Sequence, residues 1–249
     1  MVYYPDMRLI SPEISQAILN IVYPIYCQGC DIKLSFDNRT YLCRRCTESI
    51  GYIAAPICFR CGLQLTGDVD QNALCASCAG NHYHFKRAYQ CCKYDGLIRE
   101  LIHKFKYNRK LFLKKILTEI MYDFTKDYIC DSIDMIVPVP MQRSQVTKRG
   151  FNQSLILSEG LASALKIDHP KDILIKTRST KQQVGLEKRE RLNNIKGAFS
   201  ISNGNILDGK NILLVDDVFT TGATVNECAK TLASGGAASV SVLTLARGV

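Results

Sequence analysis

No run of eighteen consecutive apolar residues occurs in the chain, which argues against a transmembrane helix and sets the expectation of no membrane insertion. The opening residues, Met1-Val2-Tyr3-Tyr4-Pro5-Asp6-Met7-Arg8, lack a basic segment followed by an apolar core. A secretory signal is therefore not expected, and the expected location is cytoplasmic. Neither the Gly-rich P-loop nor the dinucleotide fingerprint is present, which removes two common ways of holding a nucleotide. No His-Glu base accompanies the cysteines, so an open catalytic zinc is not expected. No base-recognition pocket and no general base can be named from the residues.

What the chain does have in quantity is cysteine, twelve in 249 residues. In a cytoplasmic protein that points to metal rather than disulfides. Eight of them form four Cys-x-x-Cys pairs: Cys27/Cys30, Cys43/Cys46, Cys58/Cys61 and Cys75/Cys78. Each pair offers two thiolates from one tight turn, and two pairs complete a closed tetrahedral site. The gaps of twelve and thirteen residues within the halves suggest a duplicated zinc ribbon with two structural Zn²⁺. Sequential pairing closes the shortest loops; a cross-braced arrangement stays open at this point. The segment 56–80 cannot bury a core of its own without metal. Cys91, Cys92, Cys130 and Cys228 lie in apolar patterns and are expected to pack as small hydrophobes.

The formal charge is +9. Eight thiolates with two Zn²⁺ would lower it to about +5. The positive charge is concentrated in residues 99–115, with Lys106 and Arg109 among them, and in residues 176–196, with Arg178, Lys181 and Arg191. Such clusters suit a polyanion; the plain alternative is a solvated helix face and a flexible loop.

Beyond the cysteines, apolar strands alternate with helical patterns, which implies a mostly parallel sheet covered by helices. A short helix is expected near residues 11–22, with Ile14, Ile18, Ile21 and Val22 on one side. Ile133-Asp134-Met135-Ile136-Val137 reads as a buried strand stopped by Pro138-Val139-Pro140. A loop rich in Arg143, Lys148 and Arg149 follows, then a helix to about Lys166. The run 212–215 is another buried strand, ending in Asp216-Asp217 and the turn Thr220-Thr221-Gly222-Ala223-Thr224 before a helix. The turn has little side-chain bulk, and the helix start aims N–H groups and a dipole at one point, which suits a phosphate monoester. The two carboxylates would repel phosphate but accept hydrogen bonds from vicinal hydroxyls, such as those of a ribose. The loop near 138–153 is a second anion-suited loop and could meet a pyrophosphate.

The 212–224 run resembles the PRPP-binding motif of type I phosphoribosyltransferases. Over nearly its whole length the chain resembles the ComF (ComFC) family of competence proteins. The resemblance rests on the cysteine array, Tyr94-Asp95-Gly96, Phe105-Lys106-Tyr107, Pro138-Val139-Pro140, Arg149-Gly150-Phe151-Asn152-Gln153, the pattern Gln183, Leu186, Arg191, Asn194, and Asp216 to Thr224. It implies an α/β, Rossmann-like type I phosphoribosyltransferase fold with a small N-terminal zinc-ribbon-like module. The expected division is a helix at 1–24, a double four-cysteine zinc module at 25–82 and the transferase-like domain at 83–249. The resemblance further implies that Asp216 and Asp217 bind the ribose hydroxyls of PRPP and that Thr220, Thr221, Gly222, Ala223 and Thr224 hold its 5′-phosphate. It implies that Pro138, Val139, Pro140 and Met141 meet the pyrophosphate and Mg²⁺. The basic stretch 176–196, with Arg178, Lys181 and Arg191, is implied to close over the ligand, and Arg149 is counted with these as a basic-loop residue. The implied partners are PRPP, single-stranded DNA and the competence machinery of natural transformation. The alternative is a working phosphoribosyltransferase with an unknown acceptor.

Overall fold

The computed structural model describes residues 24–35, 38, 40–129, 131–178, 180, 194–202 and 204–248. The expected helix at 11–22, Cys130, Lys181, Gln183, Leu186 and Arg191 lie outside the described residues. The chain divides into two compact units, Met1–Ile50 and Gly51–Val249.

In the first unit, β1 (Ile25–Tyr26) pairs antiparallel with β2 (Lys33–Leu34). The turn between them is closed by Cys27 N–H on the Ile32 carbonyl at 2.8 Å and Asp31 N–H on the Cys27 carbonyl at 2.9 Å. A one-turn helix, α1 (Arg44–Glu48), follows Cys43, whose sulfur accepts the Cys46 N–H.

The second unit is built on a four-stranded parallel sheet in the order β3, β8, β7, β4: Arg87–Lys93, Ser239–Arg247, Asn211–Phe219 and Met135–Pro138. Residues Val240–Ala246 of β8 and Ile212–Val215 of β7 are buried at every position. Burial of successive residues means that both sheet faces are covered, as a parallel sheet with crossover helices requires. One face packs under α7 (Ala223–Ser234), the antiparallel ribbon of β5 (Leu174–Lys176) and β6 (Phe199–Ile201), and the Cys58, Cys61, Cys75, Cys78 segment with its short helix α2 (Ala76–Ala79). The remaining helices are α3 (Gly96–Tyr107), α4 (Lys114–Tyr128), α5 (Arg143–Arg149) and α6 (Gln153–Leu165). α4 and α6 pack on each other and reach the sheet.

Two local departures from the sequence expectation matter for the site. Residues 143–149 form a helix rather than a loop, because nothing in Arg-Ser-Gln-Val-Thr-Lys-Arg breaks one. Gly150, at φ 94°, ends it in the left-handed conformation that glycine adopts without cost. Strand β7 also continues past the carboxylates to Phe219, still paired with β8 (Phe219 opposite Arg247), whereas β4 stops at Pro138 opposite Val215. The far end of β7 is thus open on the β4 side.

Among the described residues, no helix is long and apolar enough to cross a membrane. Cys91, Cys92 and Cys228 are fully buried.

The α4–α6 contact is close because Gly160 has no side chain: a Cβ there would lie 2.7 Å from Thr118 Oγ1 and 2.9 Å from its Cγ2. Gly160→Val is expected to destabilise the unit by about 2 kcal/mol in urea unfolding. Adding Thr118→Ala should recover part of the loss, and additivity of the two changes would show that this contact is not the cause.

Candidate functional site

Asp216 and Asp217 sit on the part of β7 that has β8 on one side and no β4 partner on the other. Each carboxylate has an assigned neighbour. Ser154 Oγ, at the start of α6, donates to Asp216 Oδ1 at 2.7 Å, and the Asp217 N–H donates to the same oxygen at 2.9 Å. Lys106 Nζ, from the last turn of α3, lies 2.6 Å from Asp217 Oδ2, and both side chains are mostly buried. Asn152 fixes the approach of α6: its Oδ1 caps Ser154 N–H at 3.0 Å while its Nδ2 donates to the Val139 carbonyl at 3.1 Å.

The electrostatics follow from this packing. Burial raises the Asp216 pKa to about 7, the Asp217 charge adds to the rise, and the Ser154 hydrogen bond opposes it. Burial alone would lower the Lys106 ammonium, but Asp217 and then Asp216 outweigh it and the net shift is upward. Lys176 is lowered, first by burial and also by nearby Arg178.

Two adjoining cavities share Lys106, Asp216 and Asp217. One, about 380 Å³, is lined by Tyr94, Tyr107, Phe219, Thr220, Gly222 and Thr224 besides. The other, about 160 Å³, takes in Val139, Pro140, Met141, Arg149, Gln153 and Lys176. The fold therefore brings the 216–224 stretch and the 138–141 loop to one place. Pro138 is buried at the end of β4 and does not line either cavity. Gly222 caps α7 at φ 76° and brings no side chain to its first turn, while Thr221 Oγ1 accepts the Ala223 N–H at 3.4 Å. Thr220 is exposed and Ala223 buried. Arg178 is held at the base of the basic stretch, its Nη2 donating to the carbonyls of Asn194 at 2.9 Å and Lys196 at 2.7 Å. Sequence reasoning assigns no site role to Lys106, Asn152, Ser154 or Lys176; Lys106 and Asn152 lie within motifs that carry the family resemblance, Phe105-Lys106-Tyr107 and Arg149-Gly150-Phe151-Asn152-Gln153, but nothing in those motifs names their partners.

The cysteines form two quartets, Cys27/Cys30/Cys43/Cys46 and Cys58/Cys61/Cys75/Cys78, each with its sulfurs within 4.8 Å of one another. The pairing is sequential, and the cross-braced alternative is excluded. Cys30 and Cys43 Sγ are 3.6 Å apart, and Cys61 and Cys75 Sγ 3.7 Å. A tetrahedron with Zn–S bonds of about 2.3 Å has edges of about 3.8 Å, so both quartets fit Zn²⁺. The sulfurs also accept N–H groups typical of such knuckles, with Cys43 N–H on Cys27 Sγ and Cys75 N–H on Cys58 Sγ at 3.3 Å each.

The two quartets belong to different units. Elemental analysis should find two zinc ions per chain, falling to one in Cys27→Ser and in Cys58→Ser. Only the second change should lower the melting midpoint of the sheet-containing unit, and equal losses from both would contradict the division. The carboxylates give a pH-dependent expectation. Folding raises the Asp216 pKa from 3.8 to about 7. Between those values the folded chain holds a proton that the unfolded chain releases, so this group's contribution to stability falls as pH rises through the window. Asp216→Asn should therefore stabilise the protein at pH 8 by on the order of 1 kcal/mol or more, with the gain shrinking toward pH 4. A pH-independent difference in urea midpoint would refute that assignment.

Residues 113–248 match the family model described as a phosphoribosyl transferase domain, and residues 18–79 match the double zinc ribbon domain. The chain is 29% identical to "Competence protein F" of Haemophilus influenzae over 90% of this chain and 96% of that protein. It is 31% identical to "DNA utilization protein YhgH" of Escherichia coli K12, covering 77% and 84%. It is 27% identical to "Competence protein ComFC" of Bacillus subtilis, covering 91% and 96%. Among solved structures, adenine phosphoribosyltransferase from Thermoanaerobacter pseudethanolicus aligns with a TM-score of 0.38 at 16% identity, covering 60% of this chain and 73% of that one. The chain thus belongs to the phosphoribosyl transferase domain family, in the group of Competence protein F and ComFC, and carries the type I phosphoribosyltransferase fold with an N-terminal double zinc ribbon.

Proposed function

We propose that this chain binds PRPP with Mg²⁺ in the shared cavity and handles single-stranded DNA in natural transformation, together with proteins of the competence machinery. The observation that carries the reading is the convergence of the Asp216–Asp217 pair and residues 139–141 on one cavity, with the 220–224 turn lining the adjoining one. In this reading the carboxylates accept hydrogen bonds from the ribose hydroxyls. The turn and the first N–H groups of α7 receive the 5′-phosphate. The 138–141 backbone, with Lys176 and Arg149 near it, faces the pyrophosphate and its Mg²⁺. Lys106 neutralises Asp217, which limits the cost of two adjacent buried carboxylates.

The DNA half of the reading comes from the relatives, two of them named for competence and one for DNA utilization. It is supported by the rim of the cavity. Tyr107 is 59% exposed, the Arg149 guanidinium lies 5.1 Å from its ring centroid, and Arg109 lies against Gly150. Cations beside an exposed aromatic ring suit a sugar-phosphate backbone and a stacked base.

Calorimetry should detect Mg²⁺-dependent PRPP binding, weakened about tenfold or more by Asp217→Ala; absence of binding to the unmodified protein would sink the proposal. Binding of a single-stranded oligonucleotide should weaken steeply with salt, and Arg149→Ala should reduce the log–log slope by about 0.7. A flat salt response would remove the DNA half.

A further inference from the structure

The second cysteine quartet and the 220–224 turn are far apart in sequence, yet one side chain spans the distance between them. Arg247, at the end of β8, donates from Nη1 to the Cys61 carbonyl at 2.7 Å and places Nη2 3.8 Å from Cys61 Sγ. The same guanidinium lies over the Phe219 ring, with Cζ 4.9 Å from its centroid. Arg247 and Phe219 are register partners on adjacent parallel strands, so their side chains leave the sheet on one face. Phe219 then presses on the turn: a Cβ added to Gly222 would lie 2.7 Å from the ring's Cζ. The backbone follows the same path, since the Gly248 N–H donates to the Phe219 carbonyl at 2.8 Å. A Cβ on Gly248 would lie 3.3 Å from Thr220 Cγ2. Cys61, Arg247, Phe219 and Gly222 are thus in unbroken contact.

The chemistry of this chain is directional. Four thiolates around one Zn²⁺ carry a net negative charge, and Arg247 is a cation hydrogen-bonded at its edge. With the ion present, the knuckle at Cys61 is rigid and the guanidinium is held. Held there, it faces the Phe219 ring, whose position fixes how closely the Gly222 backbone can approach a ligand. Without the ion the four sulfurs are free to separate, and Arg247 keeps only the weaker contact of Nη1 with Gln90 Oε1 at 3.4 Å as a fixed partner. We propose that the second metal centre sets the geometry of the 5′-phosphate turn through Arg247, a positioning residue that makes PRPP affinity depend on metal occupancy. The proposal rests on the reading of 220–224 as the 5′-phosphate turn. Because coupling between two binding sites is reciprocal, PRPP must tighten zinc by the same factor that zinc tightens PRPP.

The test uses the full chain loaded with zinc, in equilibrium competition with a chromogenic chelator, with and without Mg²⁺ and PRPP. Saturating PRPP should tighten one of the two zinc ions about 5-fold or more. Arg247→Gln should retain both zinc ions, bind PRPP about 5-fold more weakly or worse, and lose the PRPP effect on zinc. Phe219→Leu, which keeps apolar bulk but removes the ring, should behave likewise and serves if the arginine variant does not fold. A merely structural arginine would lower the melting midpoint but leave the zinc–PRPP coupling intact. PRPP binding to the unmodified protein with no change in zinc affinity would overturn the coupling and leave the PRPP reading standing. No PRPP binding at all would overturn both.

Discussion

Two adjacent carboxylates sit where β4 has stopped and β7 has not, and their surroundings answer the problem of burying them. A parallel strand normally spends its polar backbone on two neighbours. Here the two prolines after Val137 end β4 at the level of Val215, so the next residues of β7 keep β8 alone. The freed edge makes room for a cavity, and the carboxylates line it. Lys106 pairs with Asp217, and Ser154 donates to Asp216, whose pKa is raised to about 7 by burial. Removing Lys106 would leave the Asp217 charge unpaired, and removing Ser154 would leave the buried Asp216 carboxyl one hydrogen bond short, so α3 and α6 are bound to the strand end by polar contacts as well as by packing.

The second cysteine segment packs on the same sheet. The Cys58–Cys78 quartet shares a hydrophobic cluster with Phe85, Ala88, Val242 and Phe219. It is also hydrogen-bonded to the sheet, through Arg60 to the Phe85 carbonyl and through the Ala88 N–H to the Arg60 carbonyl. Gly62, at φ 67°, lets the knuckle lie against Gln90, where a Cβ would collide with the amide at 2.3 Å. These contacts make the second quartet part of the platform from which the 220–224 turn projects. The first quartet belongs to the other unit and has its own short hairpin and helix.

Much of this was legible in the residues because it is local. Cys-x-x-Cys is a single turn, so two thiolates converge whatever the rest of the chain does. An apolar run followed by Asp-Asp and a small-residue turn codes for a strand, a polar strand end and a helix start within thirteen residues. The break at Gly150 was less legible, since the basic run before it reads as an anion-suited loop as easily as a short helix. Only the left-handed conformation at the glycine, set by where α6 must begin, decides between them.

By itself, then, the sequence determined the eight cysteines of the two quartets, the strand–turn–helix around Asp216 and Asp217, and the parallel α/β class. Each of these depends on spacing within one or two elements. Tertiary structure alone decided which knuckles pair, that Lys106 from a helix more than a hundred residues away neutralises Asp217, and that Arg247 joins Cys61 to Phe219. Those contacts depend on strand order and register. A parallel sheet takes its order from crossovers whose neighbours cannot be read from any one segment, and a side chain acquires its partner only when the register is set.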